Sequence, residues 1–117
     1  MSPADPAALD VRDVPPASRY EARLPPNADG DGAPAVAFAA YLRHGGEIVF
    51  THTEVPPALE GRGVASALAR AALDDARRKG LAVIPRCPFV AAFIRRHPEY
   101  RDLVPEARRD ELLGGRH

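Results

Sequence analysis

Cys87, His52 and Glu54 are side chains whose types could do chemistry, and Gly61-Arg62-Gly63 is a segment whose backbone could. Cys87 lies between Arg86 and Pro88. Proline suits the first turn of a helix, so Cys87 is expected at a helix N-terminus beside a cation. That is an electropositive setting in which a thiol becomes a nucleophile, although a free cysteine is also commonly a small buried hydrophobe. His52 and Glu54 stand two apart on an expected strand and should face one side, shared with Ile48 and Phe50. Either could accept a proton, His52 near neutral pH, or the pair could hydrogen-bond the Pro56-Pro57 loop that follows. The glycines precede an expected helix, where they permit a tight turn and bring N–H groups near an anion. Val64, Ala65 and Ser66 would add unpaired first-turn donors at the positive end of the helix dipole. Most such helix starts bind nothing, so the turn alone admits a phosphate without requiring one.

The elements that must hold these residues follow from periodicity. Val64, Leu68, Ala72 and Ala76 recur every four residues, with Ala65, Ala69 and Leu73 beside them, which predicts a helix over Val64–Lys79 ended by Gly80. Its polar face holds Arg62, Arg70, Asp74, Arg77 and Arg78, with Asp74 and Arg78 spaced to pair. Strands are expected over residues 18–24, 35–42 and 47–55, the last two joined at His44-Gly45-Gly46. Leu81–Ile84 is a short buried strand that completes a strand–helix–strand crossover. Pro88 opens a second helix with Phe89, Val90, Phe93 and Ile94 on its apolar face, and Pro98 ends it near His97. Residues 1–17 read as a flexible arm, 25–32 as a turn, and 105–117 as a short helix or tail, which leaves one domain over 18–104.

Composition narrows the classes. The chain of 117 residues has room for one core, which with no Trp and few aromatics must be mostly aliphatic. Its net charge of zero gives no reason to expect nucleic acid or a membrane as partner. Residues 1–59 hold four Arg and eight acids, whereas 60–117 hold twelve Arg or Lys and eight acids. The second half would better suit a polyanionic small molecule, and the acidic first half a cationic one. A single cysteine excludes an internal disulfide, and no apolar stretch reaches membrane-spanning length, so a cytoplasmic protein is expected. His44, His52, Cys87 and His97 lack metal-ligand spacing, and no nucleotide-triphosphate loop or Gly-x-Ser-x-Gly elbow occurs.

The order strands, glycine turn, helix, crossover strand, helix resembles the GNAT superfamily of acetyl-CoA-dependent N-acetyltransferases. Glu60-x-x-Gly63-x-Ala65 fits its cofactor motif except at Glu60, where Gln or Arg is usual. His52-Thr53-Glu54-Val55, Gly61-Arg62-Gly63, Cys87-Pro88-Phe89-Val90 and His97-Pro98-Glu99-Tyr100 together are similar to a compact subgroup with a cysteine in its active site. The resemblance implies an α/β fold: a mixed sheet with two main helices, splayed in a V near Thr51–Glu54 and Leu81–Ile84 to admit acetyl-CoA. It implies cofactor contacts from Val55, Arg62, Gly63, Val64, Ala65, Ser66 and Cys87, and no metal. It also implies transfer of an acetyl group to an amine: a protein lysine, an N-terminus or a small amine. The superfamily's usual Tyr acid falls on Ile94, which cannot donate a proton, while its usual Asn falls on Cys87. Cys87 would then carry the acetyl group as a thioester or protonate the departing thiolate, with Glu54 or His52 as base. A CoA-binding or protein-interaction module without turnover is the alternative.

Overall fold

The computed structural model describes residues 10–23, 36–60 and 63–114. Five strands form one mixed sheet in sequence order: β1 (Asp10–Val14), β2 (Arg19–Arg23), β3 (Val36–His44), β4 (Glu47–Glu54) and β5 (Ala82–Pro85). The first four pair antiparallel, and β5 runs parallel to β4. A parallel neighbour cannot be reached through a tight turn, so α1 (Val64–Arg78) carries the chain across. The second helix, α2 (Pro88–Arg96), leads through a 3-10 stretch, Pro98–Leu103, and a shorter one, Glu106–Arg108, to α3 (Arg109–Leu113).

Most expected elements lie within one or two residues of their places. The β3–β4 hairpin turns at Gly45, whose φ of 58° is where glycine is favoured, and Gly80 closes α1 at φ 70°. The expected arm is a correction: residues 10–17 form an edge strand and a 3-10 turn. Alternation was hidden there because the strand is short and flanked by prolines. Asp74 and Arg78 do not pair either. Arg78 bonds Asp75 at 2.8 Å, while Asp74 accepts from the Tyr100 hydroxyl at 2.8 Å. The expected arm over 1–9, the turn at 25–32 and the last three residues lie outside the described residues.

Small side chains let α1 lie close to the sheet. Its buried face is Val64, Leu68, Ala69, Ala72, Leu73 and Ala76, and the sheet fills the remaining space with Tyr20, Tyr41 and Phe50. The tyrosine rings are 5.4 Å apart, and each phenol needs a partner at the edge of the core. Tyr20 donates to Asp75 at 2.6 Å and Tyr41 to Asp13 at 2.5 Å. α3 buries Leu112 and Leu113 and packs on β5 and α2.

These phenols give a pH prediction. Burial first, and then the Asp75 bond, raise Tyr20 far above the ordinary tyrosine range; burial and Asp13 do the same for Tyr41. Burial and Asp74 raise Tyr100. A folded-state value above the unfolded one gives stability that is intact below about pH 10 and is lost as pH rises past it. The folded protein is expected to show little phenolate absorbance at about pH 10.5, where free tyrosine is mostly ionised, and to gain it only on unfolding. Smooth titration of the three tyrosines near pH 10 without unfolding would contradict this.

Candidate active site

The pairing of β4 with β5 is short. It joins Glu47–Phe50 to Ala82–Pro85 and then stops, while β4 continues alongside β3 to Glu54. The last tie is the Cys87 N–H, which donates to the Phe50 carbonyl at 2.8 Å. The sheet therefore opens beyond Phe50 and Pro85, with Thr51–Glu54 along one side as expected. Leu81–Ile84 does not line the other side: Ala82–Ile84 is still paired, and Cys87 with the start of α2 stands there instead.

Cys87 is the N-cap of α2, with extended backbone (φ −73°, ψ 124°) and Pro88 at the first helical position. Its carbonyl accepts from Ala91 at 3.0 Å, and the residue is 3% exposed. The thiol is not isolated, because Thr53 Oγ1 lies 3.3 Å from Sγ. Arg86 turns outward to Glu111 at 3.3 Å. The expected cation is thus a neighbour in sequence that is paired elsewhere.

A β-bulge puts Thr53 at that place. Tyr41 pairs with Phe50 and Ala40 with His52, so Thr51 is an extra residue on β4. Before the bulge, Ile48 and Phe50 face α1. After it Thr53, opposite buried Ala39, occupies that face. His52 and Glu54 are accordingly not on the side of Ile48 and Phe50, which corrects the alternation read from sequence. They lie on the other face, each side chain 62% exposed, with Nε2 and Oε1 3.3 Å apart and the imidazole 6.0 Å from the Phe38 ring. On that same face the Glu21 carboxylate is held by Arg19 at 2.8 Å and Arg23 at 2.7 Å. These two bonds lower its pKa despite its burial.

The glycine turn is described from its second half. Gly63 caps α1 with φ 73°, no side chain caps the helix, and its first turn holds no acid. Val64 is buried, so only its backbone could serve a ligand; Ala65 is half-buried and Ser66 exposed. Val55 is half-buried and packs on the core. Gly61 and Arg62 lie outside the described residues. With no side-chain cap among the described residues, the first-turn N–H groups of α1 are candidate anion donors, and the strands part beside a thiol.

Arg95 donates to the Leu113 carbonyl at 2.9 Å. Tyr100 is buried between Asp74 and Arg70, and His97 stacks on Phe93 at 4.2 Å, so both serve packing. Among the described residues, no group of three or more His, Cys, Asp or Glu could hold a metal ion. No described helix is long and apolar enough to cross a membrane. Thr53 is the residue that sequence reasoning missed. The available signal was its place between His52 and Glu54, which strand alternation assigned to the wrong face.

A mixed sheet that opens beside a glycine-capped helix is the framework that the resemblance implied. The sequence pattern of the GCN5-related N-acetyltransferases matches residues 19–103, and the chain belongs to that family. It is also similar to Protein NATD1 of Bos taurus, 43% identical over 47 residues. That stretch is 40% of this chain and 42% of the relative, so the similarity spans less than half of either.

Proposed function

We propose that the chain binds acetyl-CoA in the opening beyond Phe50 and Pro85 and transfers its acetyl group to an amine, with Cys87 at the reacting centre. The observation that carries the reading is the Cys87 thiol, buried at the parting of β4 and β5 with the Thr53 hydroxyl 3.3 Å away. Family membership supplies the class of reaction. A cytoplasmic setting suits a site built on a free thiol.

The thioester, when bound, supplies an activated acyl carbon. Backbone N–H groups of Gly63 to Ser66, with Arg62, hold the pyrophosphate; Val55 packs along the pantetheine arm. Cys87 Sγ attacks the carbonyl carbon, its proton passes to the departing thiolate, and the acetyl-Cys87 thioester is then cleaved by the acceptor amine. In the alternative route the amine attacks directly and Cys87 donates its proton to the thiolate. Thr53 fixes the Sγ rotamer in both. His52 and Glu54, on the far face, serve as the base for an amine arriving from that side, directly or through water.

Incubation with acetyl-labelled acetyl-CoA tests the proposal. Binding, a hydroxylamine-sensitive label on Cys87 and transfer to an amine panel are the expected results. Binding without label or transfer would favour a non-catalytic CoA-binding module, and no binding at all would sink the reading. Thr53→Val, close in size but lacking the hydroxyl, should lower kcat roughly three- to tenfold with little change in acetyl-CoA affinity. Unchanged kcat would remove Thr53 from the site.

A further inference from the structure

Lys79 is the only lysine in the sequence, and it stands just past the end of α1. Its Nζ lies 2.9 Å from Asp13 of β1 and 2.8 Å from Asp75 of α1. Those carboxylates also accept the Tyr41 and Tyr20 phenols. One ammonium thus closes a network that joins β1, β2, β3 and α1, around a cleft of about 190 Å³ lined by Val11, Asp13, Tyr20 and the last turns of α1. β1 is an edge strand: its sheet pairing is with β2 alone, Val11 packs on the core, and its ties to α1 and β3 run through Asp13.

We infer that Lys79 is an acylation-sensitive lock: closed, its amine is shielded from acetyl donors by its two ion pairs rather than by burial, the side chain being 40% exposed, and acetylated, it can no longer bridge β1 to α1. The inference rests on the proposed acetyl chemistry only for the origin of the acyl group. Acylation needs the unprotonated amine. Two carboxylates beside Nζ favour the ammonium, and their hydrogen bonds raise its pKa. Opening of β1 withdraws Asp13 and leaves Asp75 as the remaining partner of the two, so the unprotonated amine is reached more often. Nζ then attacks the acyl carbon of a thioester, a C–N bond forms, the C–S bond breaks, and the amine proton leaves on the thiol. The resulting amide is neutral and retains one N–H where the ammonium had three. It cannot bridge both acids, which are left facing each other, so β1 stays open.

Acetylation by acetyl N-hydroxysuccinimide ester, followed by peptide mass spectrometry, tests the shielding without using any transfer activity. Lys79 should react roughly three- to tenfold faster in folded Asp13→Asn than in the native chain, and at equal rates once both are unfolded. Hydrogen exchange tests the lock. Amides of residues 10–14 should lose protection when N-acetyllysine is encoded at position 79 or in Lys79→Gln, and keep it in Lys79→Arg. Equal rates in the two folded proteins, or protected β1 amides in the acetylated protein, would overturn the inference. Should Asp13→Asn fail to fold, the exchange comparison decides alone. A chain that transfers no acetyl group could still pass both tests, and an active one could fail them.

Discussion

Cys87→Ala is expected to lower acetyl transfer by about a hundredfold or more while leaving acetyl-CoA affinity close to native. The size follows from what the substitution removes. The backbone of residue 87 is fixed by its bond to the Phe50 carbonyl and by its place as N-cap of α2, neither of which needs Sγ. Alanine therefore deletes the thiol and little else, at a stability cost of about 1 kcal/mol for a small buried group. Kinetics with a fixed amine acceptor, beside calorimetric acetyl-CoA binding, would measure both effects. The two routes also separate. A covalent route loses its label on Cys87 together with its turnover. A proton-donor route shows no label in the native protein, and its loss of rate should be largest for poor leaving thiols. Transfer within threefold of native would remove Cys87 from the reaction altogether.

Phe50→Ala is expected to have the largest effect on the fold, a loss of about 3–5 kcal/mol. Phe50 is 1% exposed, with the Tyr20 ring 6.2 Å and the Tyr41 ring 6.4 Å away. It is also the last residue of β4 paired with β5 before the strands part. Truncation leaves a cavity beside both tyrosines that small side chains cannot fill, and half of the buried face of α1 is alanine: Ala69, Ala72 and Ala76. Against a total stability of about 5–15 kcal/mol for a domain of this size, the loss is a large fraction. Urea unfolding should give a much lower midpoint with an unchanged slope. Phe50→Leu, which keeps most of the volume, should cost about 1 kcal/mol. A Phe50→Ala cost below about 1 kcal/mol would mean that the core closes around the gap, contrary to the packing described.

Much of the architecture was legible because it is local. The four-residue recurrence from Val64 to Ala76 specifies a helix wherever it occurs, and Gly80 must end it because positive φ is costly for other residues. Pro88 placed Cys87 at a helix start for the same kind of reason, since proline lacks the N–H that a helix interior needs. The family resemblance added the opening of the sheet: β4–β5 pairing ends at Phe50 and Pro85, with Thr51–Glu54 along one side as expected, but Ala82–Ile84 is paired and does not line the other.

What escaped the sequence is set by pairs far apart in the chain. The extra Thr51 is a mismatch between β4 and β3, visible only once Tyr41 is opposite Phe50 and Ala40 opposite His52. Strand alternation taken alone puts His52 and Glu54 on the Phe50 face. Register turns them away and brings Thr53 to within 3.3 Å of Cys87, 34 residues on. β1 likewise holds its place through Lys79, 66 residues from Asp13. The sequence by itself determined the helices, the glycine-capped start of α1 and the thiol at the head of α2, because each depends on backbone preferences of neighbouring residues. The tertiary structure decided which side chain meets that thiol and what holds β1, because one bulge reverses every later side chain on its strand, and a bridging charge acts only where distant segments converge.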